Sequence, residues 1–168
     1  MDTTLTREQA HWHEIVNDPA LRDLPYKVET NAQGQLILSP HTNRHSIHQE
    51  AVQELLREYA PPGKTPPEFA IATPEGVKAP DVVWMSPERW TDMQKTGDPT
   101  TLAPEICVEV MSASNTEAEM EAKRALYRSV GAEEVWVVDK EGRIHFFADE
   151  VLDASSIAPD CPAHVNAA

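Results

Sequence analysis

The chain has 168 residues, of which 40% are hydrophobic and 25% charged, as expected for one globular domain with a buried core. No apolar run approaches the roughly 18 residues that a membrane span requires, and the N-terminal residues lack the apolar core of a secretory signal. Cys107 and Cys161 lie far apart and without zinc-type spacing, which argues against a disulfide framework or a zinc finger. These features predict a cytoplasmic protein that does not engage membranes.

The balance of charge argues against tight, autonomous binding of nucleic acid. Lysine and arginine number 14 and the acidic residues 28, for a net charge of −14. Nucleic-acid binders usually carry a basic surface, and an acidic chain repels DNA at long range. Any DNA binding is therefore predicted to be weak, or to need a local basic surface, clustered metal ions or a partner. A nuclease is not excluded, because metal-binding carboxylates are themselves acidic.

The predicted elements alternate between helices and strands along the chain. The first half predicts a short helix, a polar connector, a hairpin and a long helix, at residues 6–17, 18–25, 26–40 and 41–60. The second half predicts two strands, a loop with one helical turn, a strong strand, a second long helix closed by a glycine, and two strands, at residues 68–73, 81–85, 86–101, 106–111, 116–130, 135–138 and 143–147. The tail from residue 148 is predicted to be irregular. This order favours an α/β sheet flanked by helices, and no glycine-rich nucleotide-binding loop is present.

Two acidic residues stand at predicted strands. Asp81 follows Pro80 at the start of a strand, and the proline makes that approach rigid; its carboxylate is placed either to bind a metal or to cap a loop. Glu109 lies within the strand 106–111, where alternation sets it on the face of two apolar residues. Glutamate is depleted in strands, and a covered charge needs a partner. Glu109 is therefore predicted either to face a cation or to occupy a solvent-facing position.

Lys123 lies on the apolar side of the second long helix. With a step of about 100° per residue, it falls within the stripe of Met120, Leu126, Tyr127 and Val130. Lysines usually take the opposite face, so Lys123 is predicted either to snorkel to the surface or to meet the carboxylates. In the second case, two carboxylates bind Mg²⁺, which acidifies a water and polarises a phosphate. The lysine then orients that water or stabilises the developing charge.

Histidines cluster at the start of the first long helix. His45 and His48 fall on its inner face, close to His41 in sequence. A pair with this spacing can bind zinc, but packed histidines bonded to a loop are the commoner arrangement and the one predicted here. His45 is the candidate to line a site, with Gln49 as a further supporting group. Lys78 is a candidate phosphate contact, although a solvated surface lysine is the favoured interpretation.

Four runs of sequence together resemble one family. They are APDVVWMSPER (79–89), PEICVEVMSASN (104–115), EAKRALY (121–127) and GAEEVWVVD (131–139). The runs are similar to the Uma-two-type restriction endonuclease family, within the PD-(D/E)XK nuclease superfamily. Residues 36–40 with His45, and residues 158–162, are also similar to it. The resemblance covers roughly residues 26–163.

The resemblance implies a restriction-endonuclease-like α/β core, a mixed central β-sheet with helices on both sides. It places that core at residues 26–163, after an N-terminal helical appendage (1–25) and before a tail (164–168). It implies that Asp81 and Glu109 bind metal, Mg²⁺ or Mn²⁺ as a substitute. The usual superfamily lysine stands two residues after the second acid, where this chain has Met111; the family's lysine on the following helix matches Lys123.

The leading interpretation is therefore a Mg²⁺-dependent endonuclease that hydrolyses DNA phosphodiester bonds through Asp81, Glu109 and Lys123. Net charge and Met111 favour an alternative, a nuclease-fold binding or regulatory module without cleavage activity. A hydrolase of another phosphodiester or a nucleotide is a third interpretation. A homodimer is also predicted, because cutting both strands of a duplex is easier for a two-fold assembly.

Overall fold

The computed structural model describes residues 6–165. Helices over these residues are α1 (Arg7–Val16), α2 (Pro19–Arg22), α3 (Asn43–Tyr59), α4 (Pro87–Gln94) and α5 (Glu117–Ser129). Strands are β1 (Lys27–Thr30), β2 (Leu36–Ser39), β3 (Ile71–Thr73), β4 (Gly76–Lys78), β5 (Val82–Trp84), β6 (Ile106–Val110), β7 (Glu134–Val138), β8 (Ile144–Phe147) and β9 (Val151–Leu152). None of these helices combines the length and apolarity needed to cross a membrane.

Five strands form the central mixed sheet, in the order β5-β6-β7-β8-β9. β6 and β7 are parallel, whereas the other neighbours in the sheet are antiparallel. A parallel pair needs a crossover connection, and α5 lies within the crossover between β6 and β7. The crossover brings α5 over the face of β6 that carries Glu109.

Alternation along β6 divides the core into two layers, as predicted. Ile106, Val108 and Val110 pack on one side of the sheet with residues of α3, Trp84 and Trp136. Cys107 packs on the other side with Met93 of α4 and Tyr127 of α5. Helices therefore cover both faces of the sheet, and Glu109 points into the layer beneath α5.

Two N-terminal hairpins close the end of the sheet where Asp81 lies. β1 pairs with β2 and β3 with β4, both antiparallel. β1 also lies beside β4, where the Thr30 hydroxyl accepts the Val77 N–H at 2.8 Å and the Thr30 carbonyl accepts from Lys78 Nζ at 2.7 Å. This contact turns one face of β1 towards the central sheet.

Helix α1 is tied to the rest of the domain by a buried side chain. Gln9 Nε2 donates to the carbonyls of Thr96 and Pro99 at 2.8 and 2.7 Å. The division of the chain at residue 26 stays a prediction. Residues 1–5 of the predicted appendage and 166–168 of the predicted tail lie outside the described residues.

Some local predictions were wrong or incomplete. The predicted connector contains α2, which Asp18 caps by accepting the Ala20 N–H. The predicted loop 86–101 contains α4, which begins with a proline after the capping residue Ser86. The strand predicted at 68–73 is shortened to β3, and its predicted first residue, Glu68, has a left-handed φ of 47°. β4 and β9 are short strands that depend on pairing partners and lacked a periodic signal.

Gly76 allows the two hairpins to approach closely. Its φ is +99°, and an added Cβ would lie 2.5 Å from the carbonyl oxygens of Thr30 and Asn31. We expect Gly76→Ala to lower the free energy of unfolding by about 3 kcal/mol, at the upper end of ordinary substitutions. The left-handed backbone and the clash both oppose the added methyl group.

Gly34 provides a matched control for this prediction. Its φ is +78°, but the nearest atom to an added Cβ is a His11 ring nitrogen at 3.4 Å. Gly34→Ala should therefore cost only the backbone penalty of about 1 to 2 kcal/mol. Urea denaturation of both variants measures the difference, and equal losses would contradict a role for the close approach.

Candidate active site

Four of the predicted site residues meet at one edge of the central sheet. Asp81 immediately precedes β5, and the antiparallel register of β5 with β6 sets it beside Glu109. Lys123 of α5 places its Nζ 3.2 Å from Glu109 Oε1. His45, in the first turn of α3, has its Nε2 3.4 Å from Asp81 Oδ2. All four side chains line one cavity of about 100 Å³.

A second lysine, Lys27 of β1, lies between the two acids. Its Nζ is 3.1 Å from Asp81 Oδ1 and 3.8 Å from Glu109 Oε2. It also donates to the Ala79 carbonyl at 3.0 Å, and only 7% of the side chain is exposed. An ammonium group therefore occupies the space between the carboxylates that the sequence predicts to hold a metal ion.

Glu29, on the same face of β1 as Lys27, completes a buried chain of alternating charges. Glu29 Oε1 accepts from Lys123 Nζ at 3.1 Å, and Glu29 Oε2 accepts the Ala79 N–H at 2.7 Å. The order of contacts is Glu29, Lys123, Glu109, Lys27, Asp81. Three carboxylates against two ammonium groups leave these five side chains with one net negative charge, so the cluster retains an attraction for cations.

Burial and charge shift the pKa values of this cluster in different directions. Burial raises the pKa of Glu109, against the opposing pull of Lys123 and Lys27. Burial alone would raise the pKa of Asp81 as well, but the charge of Lys27 and the contact with His45 hold it below its usual range. Burial lowers the pKa of Lys27, and the charges of Glu109 and Asp81 outweigh it, so the pKa lies above its ordinary value. Glu109 is thus the acid of the cluster that accepts a proton most readily.

Hydrogen bonds from protein groups orient both acids. The buried Tyr127 hydroxyl donates to Glu109 Oε1 at 2.5 Å, and the Val110 N–H donates to Asp81 Oδ2 at 2.7 Å. Each carboxylate is held by a lysine and by a neutral donor. The carboxylate oxygens are therefore preorganised and do not need to be ordered by a ligand.

The remaining candidates lie at different distances from this cavity. Lys78 is buried rather than solvated, because β4 packs against β1, and the favoured surface interpretation was wrong. It lines, with Glu29 and Lys123, an adjoining groove of about 810 Å³ between β2 and α5. Gln49 is half-buried on α3 and is not among the residues that line the acid cavity. His48 is buried, as predicted, and does not line the cavity either.

Sequence reasoning missed Lys27 and Glu29 and assigned Tyr127 only to packing. Lys27 and Glu29 are two residues apart in a strand, so they share a face. Such a pair ordinarily indicates a solvent-facing edge, and the hairpin offers no local sign that this face is covered. The one available signal was opposite charge on a single strand face, which becomes informative only once β1 is placed against Asp81.

The mixed sheet, covered by helices on both faces and carrying an acid and lysine cluster at one edge, defines a restriction-endonuclease-like α/β protein. The family described as "Putative restriction endonuclease" (Uma2) matches residues 18–159, and the chain belongs to this family. The predicted fold class and family are confirmed.

A solved structure shares this fold. The chain is similar to a putative nuclease belonging to DUF820 from Anabaena variabilis ATCC 29413, with a TM-score of 0.64 and 15% identity, over 83% of this chain and 87% of that chain. At this identity the likeness establishes the fold alone. No curated protein matches the chain.

Proposed function

We propose that this protein is a divalent-metal-dependent endonuclease that hydrolyses phosphodiester bonds in DNA, with Asp81, Glu109 and Lys123 as its catalytic residues. The observation that carries the proposal is the meeting of the two buried acids with a lysine that lies 3.2 Å from Glu109. Membership of a family described as restriction endonucleases supports nuclease function in general. The proposal includes Mg²⁺ as the cofactor, with Mn²⁺ as a substitute, and action in the cytoplasm.

The residues present fit a divalent cation. The Lys27 ammonium, 3.1 Å from Asp81 and 3.8 Å from Glu109, acts as a stand-in that shows the two carboxylates converging on a positive charge. Carboxylate oxygens are the ligands that Mg²⁺ prefers, so Asp81 and Glu109 would hold the ion. When bound, the metal would polarise a phosphate oxygen and acidify a water molecule.

Lys123 is the lysine that lines both the acid cavity and the adjoining groove. Its side chain is 21% exposed, so the ammonium can reach a phosphate without leaving the acids. Glu29 holds the ammonium in place. The positive charge of Lys123 would stabilise the negative charge that develops at phosphorus. Tyr127 keeps Glu109 oriented.

The groove beside Lys123 is the proposed path of the DNA. It offers Lys78 and Lys123 as cationic contacts, but Glu75 and Glu119 line the same groove. This mixture of charges favours weak binding, in line with the net charge of −14. The proposal therefore includes DNA association that a metal ion or a partner strengthens, and a homodimer for cutting both strands of a duplex.

Two observations favour a second candidate, a nuclease-fold binding or regulatory module without cleavage activity. The Lys27 ammonium already occupies the space between Asp81 and Glu109 and offsets part of their charge, and Met111 stands where the superfamily's usual lysine would be. If Lys27 cannot be displaced, the site binds no divalent ion and does not cleave.

Incubation of the purified protein with supercoiled plasmid separates these candidates. We expect conversion to nicked and linear DNA with Mg²⁺ or Mn²⁺ and none with EDTA. No nicking with either metal would favour the non-catalytic module. A parallel panel of single-stranded DNA, duplex DNA and nucleotides tests the remaining alternative, since cleavage of nucleotides alone would assign a different substrate. Analytical ultracentrifugation tests the dimer.

A further inference from the structure

The side of Asp81 that faces α3 carries a second set of potential metal ligands. Ligand atoms of His41, His45 and Asp81 all lie within 4.8 Å of one another. His41 Nδ1 is 2.7 Å from His45 Nδ1, and His45 Nε2 is 3.4 Å from Asp81 Oδ2. Two imidazoles and a carboxylate suit zinc and related transition-metal ions, whereas Mg²⁺ favours oxygen ligands.

The two oxygens of Asp81 face different neighbours. Oδ1 contacts the Lys27 ammonium at 3.1 Å, on the side of the proposed Mg²⁺ position. Oδ2 accepts the Val110 N–H at 2.7 Å and points towards His45. A carboxylate oxygen with one hydrogen bond can still accept a cation on its other lone pair. The histidine side of Asp81 is therefore open to a metal ion while Lys27 stays in place.

One ring nitrogen of His41 is buried without a hydrogen-bond partner among the described residues. Within residues 6–165, His41 Nε2 has no hydrogen-bond partner, and a buried polar atom without one costs about 1 to 3 kcal/mol. Glu68 Oε1 lies 3.6 Å away, just beyond hydrogen-bond distance. Histidines that bind metal through one nitrogen usually donate the other N–H to a carboxylate, which fixes the ring. Glu68 is placed to take that part once Nδ1 binds a metal.

Local structure fixes both histidines. Thr42, between them, caps α3 and accepts the His45 N–H at 3.1 Å. His41 is the residue just before this cap, and His45 lies in the first helical turn. A rigid helix start holds ligands more firmly than a free loop does.

We propose that His41, His45 and Asp81 form a binding site for a transition-metal ion of the Zn²⁺ or Co²⁺ type, with Glu68 orienting His41. The site goes beyond the proposed function, because it needs neither Glu109 nor Lys123 and exists whether or not the protein cleaves DNA. It lies against the proposed Mg²⁺ position and shares only Asp81 with it.

Calorimetric titration of the full chain, free of any histidine tag and stripped with EDTA, tests the site with ZnCl₂ and CoCl₂. We expect wild type to bind one equivalent of metal. His41→Ala should weaken that binding at least about 100-fold, because losing a direct ligand should exceed the roughly 10- to 100-fold effect of losing a residue that only orients a ligand. Glu68→Gln changes a side chain that is 47% exposed and should weaken metal binding about 10-fold. This variant still tests the site if His41→Ala does not fold. His145→Ala is the control, since His145 forms an exposed pair with Asp139 at 2.9 Å away from the site.

The outcomes keep this site distinct from the nuclease proposal. Glu109→Gln should retain Zn²⁺ binding while losing Mg²⁺-dependent nicking. Absence of a single-equivalent Zn²⁺ or Co²⁺ site in wild type, or affinity unchanged in both His41→Ala and Glu68→Gln, overturns the site. Mg²⁺-dependent nicking by wild type would leave the proposed function standing in that case.

Discussion

Lys123→Ala is expected to slow metal-dependent nicking of supercoiled plasmid by about 100- to 1,000-fold, the usual loss when one charge-stabilising donor is removed from an active site. The Lys123 ammonium lies 3.2 Å from Glu109 and 3.1 Å from Glu29, and it is the lysine shared by the acid cavity and the groove. Alanine removes the charge while leaving the Asp81–Glu109 pair intact.

Plasmid nicking by wild type and Lys123→Ala, in Mg²⁺ or Mn²⁺ and in EDTA, measures this effect. Lys95→Ala is the control, because Lys95 is 66% exposed and pairs with Asp92 on the surface. Circular dichroism and urea denaturation check that the variant is folded. Full nicking by folded Lys123→Ala would remove Lys123 from the mechanism, even if the protein is a nuclease.

Lys27→Met is expected to lower the free energy of unfolding by about 3 to 5 kcal/mol in EDTA, the cost of breaking a buried ion pair. Without Lys27, the carboxylates Asp81 and Glu109 face each other with no cation between them. The pKa of Lys27 is raised above its ordinary value of 10.5. Its stabilising contribution is therefore complete below that pH and is lost only as the pH rises through the higher pKa of the folded state, so a measurement at pH 7 records the whole effect.

The same variant should respond more strongly to a divalent cation. With the ammonium gone, Mg²⁺ can occupy the space between the carboxylates, and a ligand present at 100 times its Kd stabilises a protein by about 2.7 kcal/mol. We therefore expect a larger Mg²⁺-dependent rise in Tm for Lys27→Met than for wild type. Lys95→Met, at a lysine that is 66% exposed, is the control. A small loss of stability with no added response to Mg²⁺ would show that Lys27 does not hold the cation position.

Lys27 and the proposed His41 site lie on different sides of Asp81, so the two metal proposals can be tested separately. Lys27 faces one oxygen of Asp81 and one of Glu109, while His45 faces the other oxygen of Asp81. The nuclease proposal requires displacement of an internal ammonium, and the zinc-type site does not. Metal titrations of Lys27→Met and His41→Ala therefore report on separate sides of one carboxylate.

Much of the fold and part of the site could be predicted from local sequence. Alternation along Ile106–Met111 and the step of α5 depend only on backbone geometry, so residue spacing placed Glu109 and Lys123 among apolar residues but left open whether those faces are covered. Motif order indicated the family and the restriction-endonuclease-like sheet. The helices predicted at 41–60 and 116–130 agree closely with α3 and α5, which begin after the capping residues Thr42 and Thr116.

Long-range contacts supplied what residue spacing could not. Lys27 and Glu29 join the site only because β1 lies against β4 and the start of β5, through contacts between residues 47 to 54 positions apart in sequence. The His45 contact with Asp81 likewise depends on how α3 packs against the sheet. Periodicity states which side of an element a residue occupies, but not what covers that side. Residues 81, 109 and 123 could thus be chosen from the sequence, whereas the charge that stands between the two acids was set by the packing of a distant hairpin.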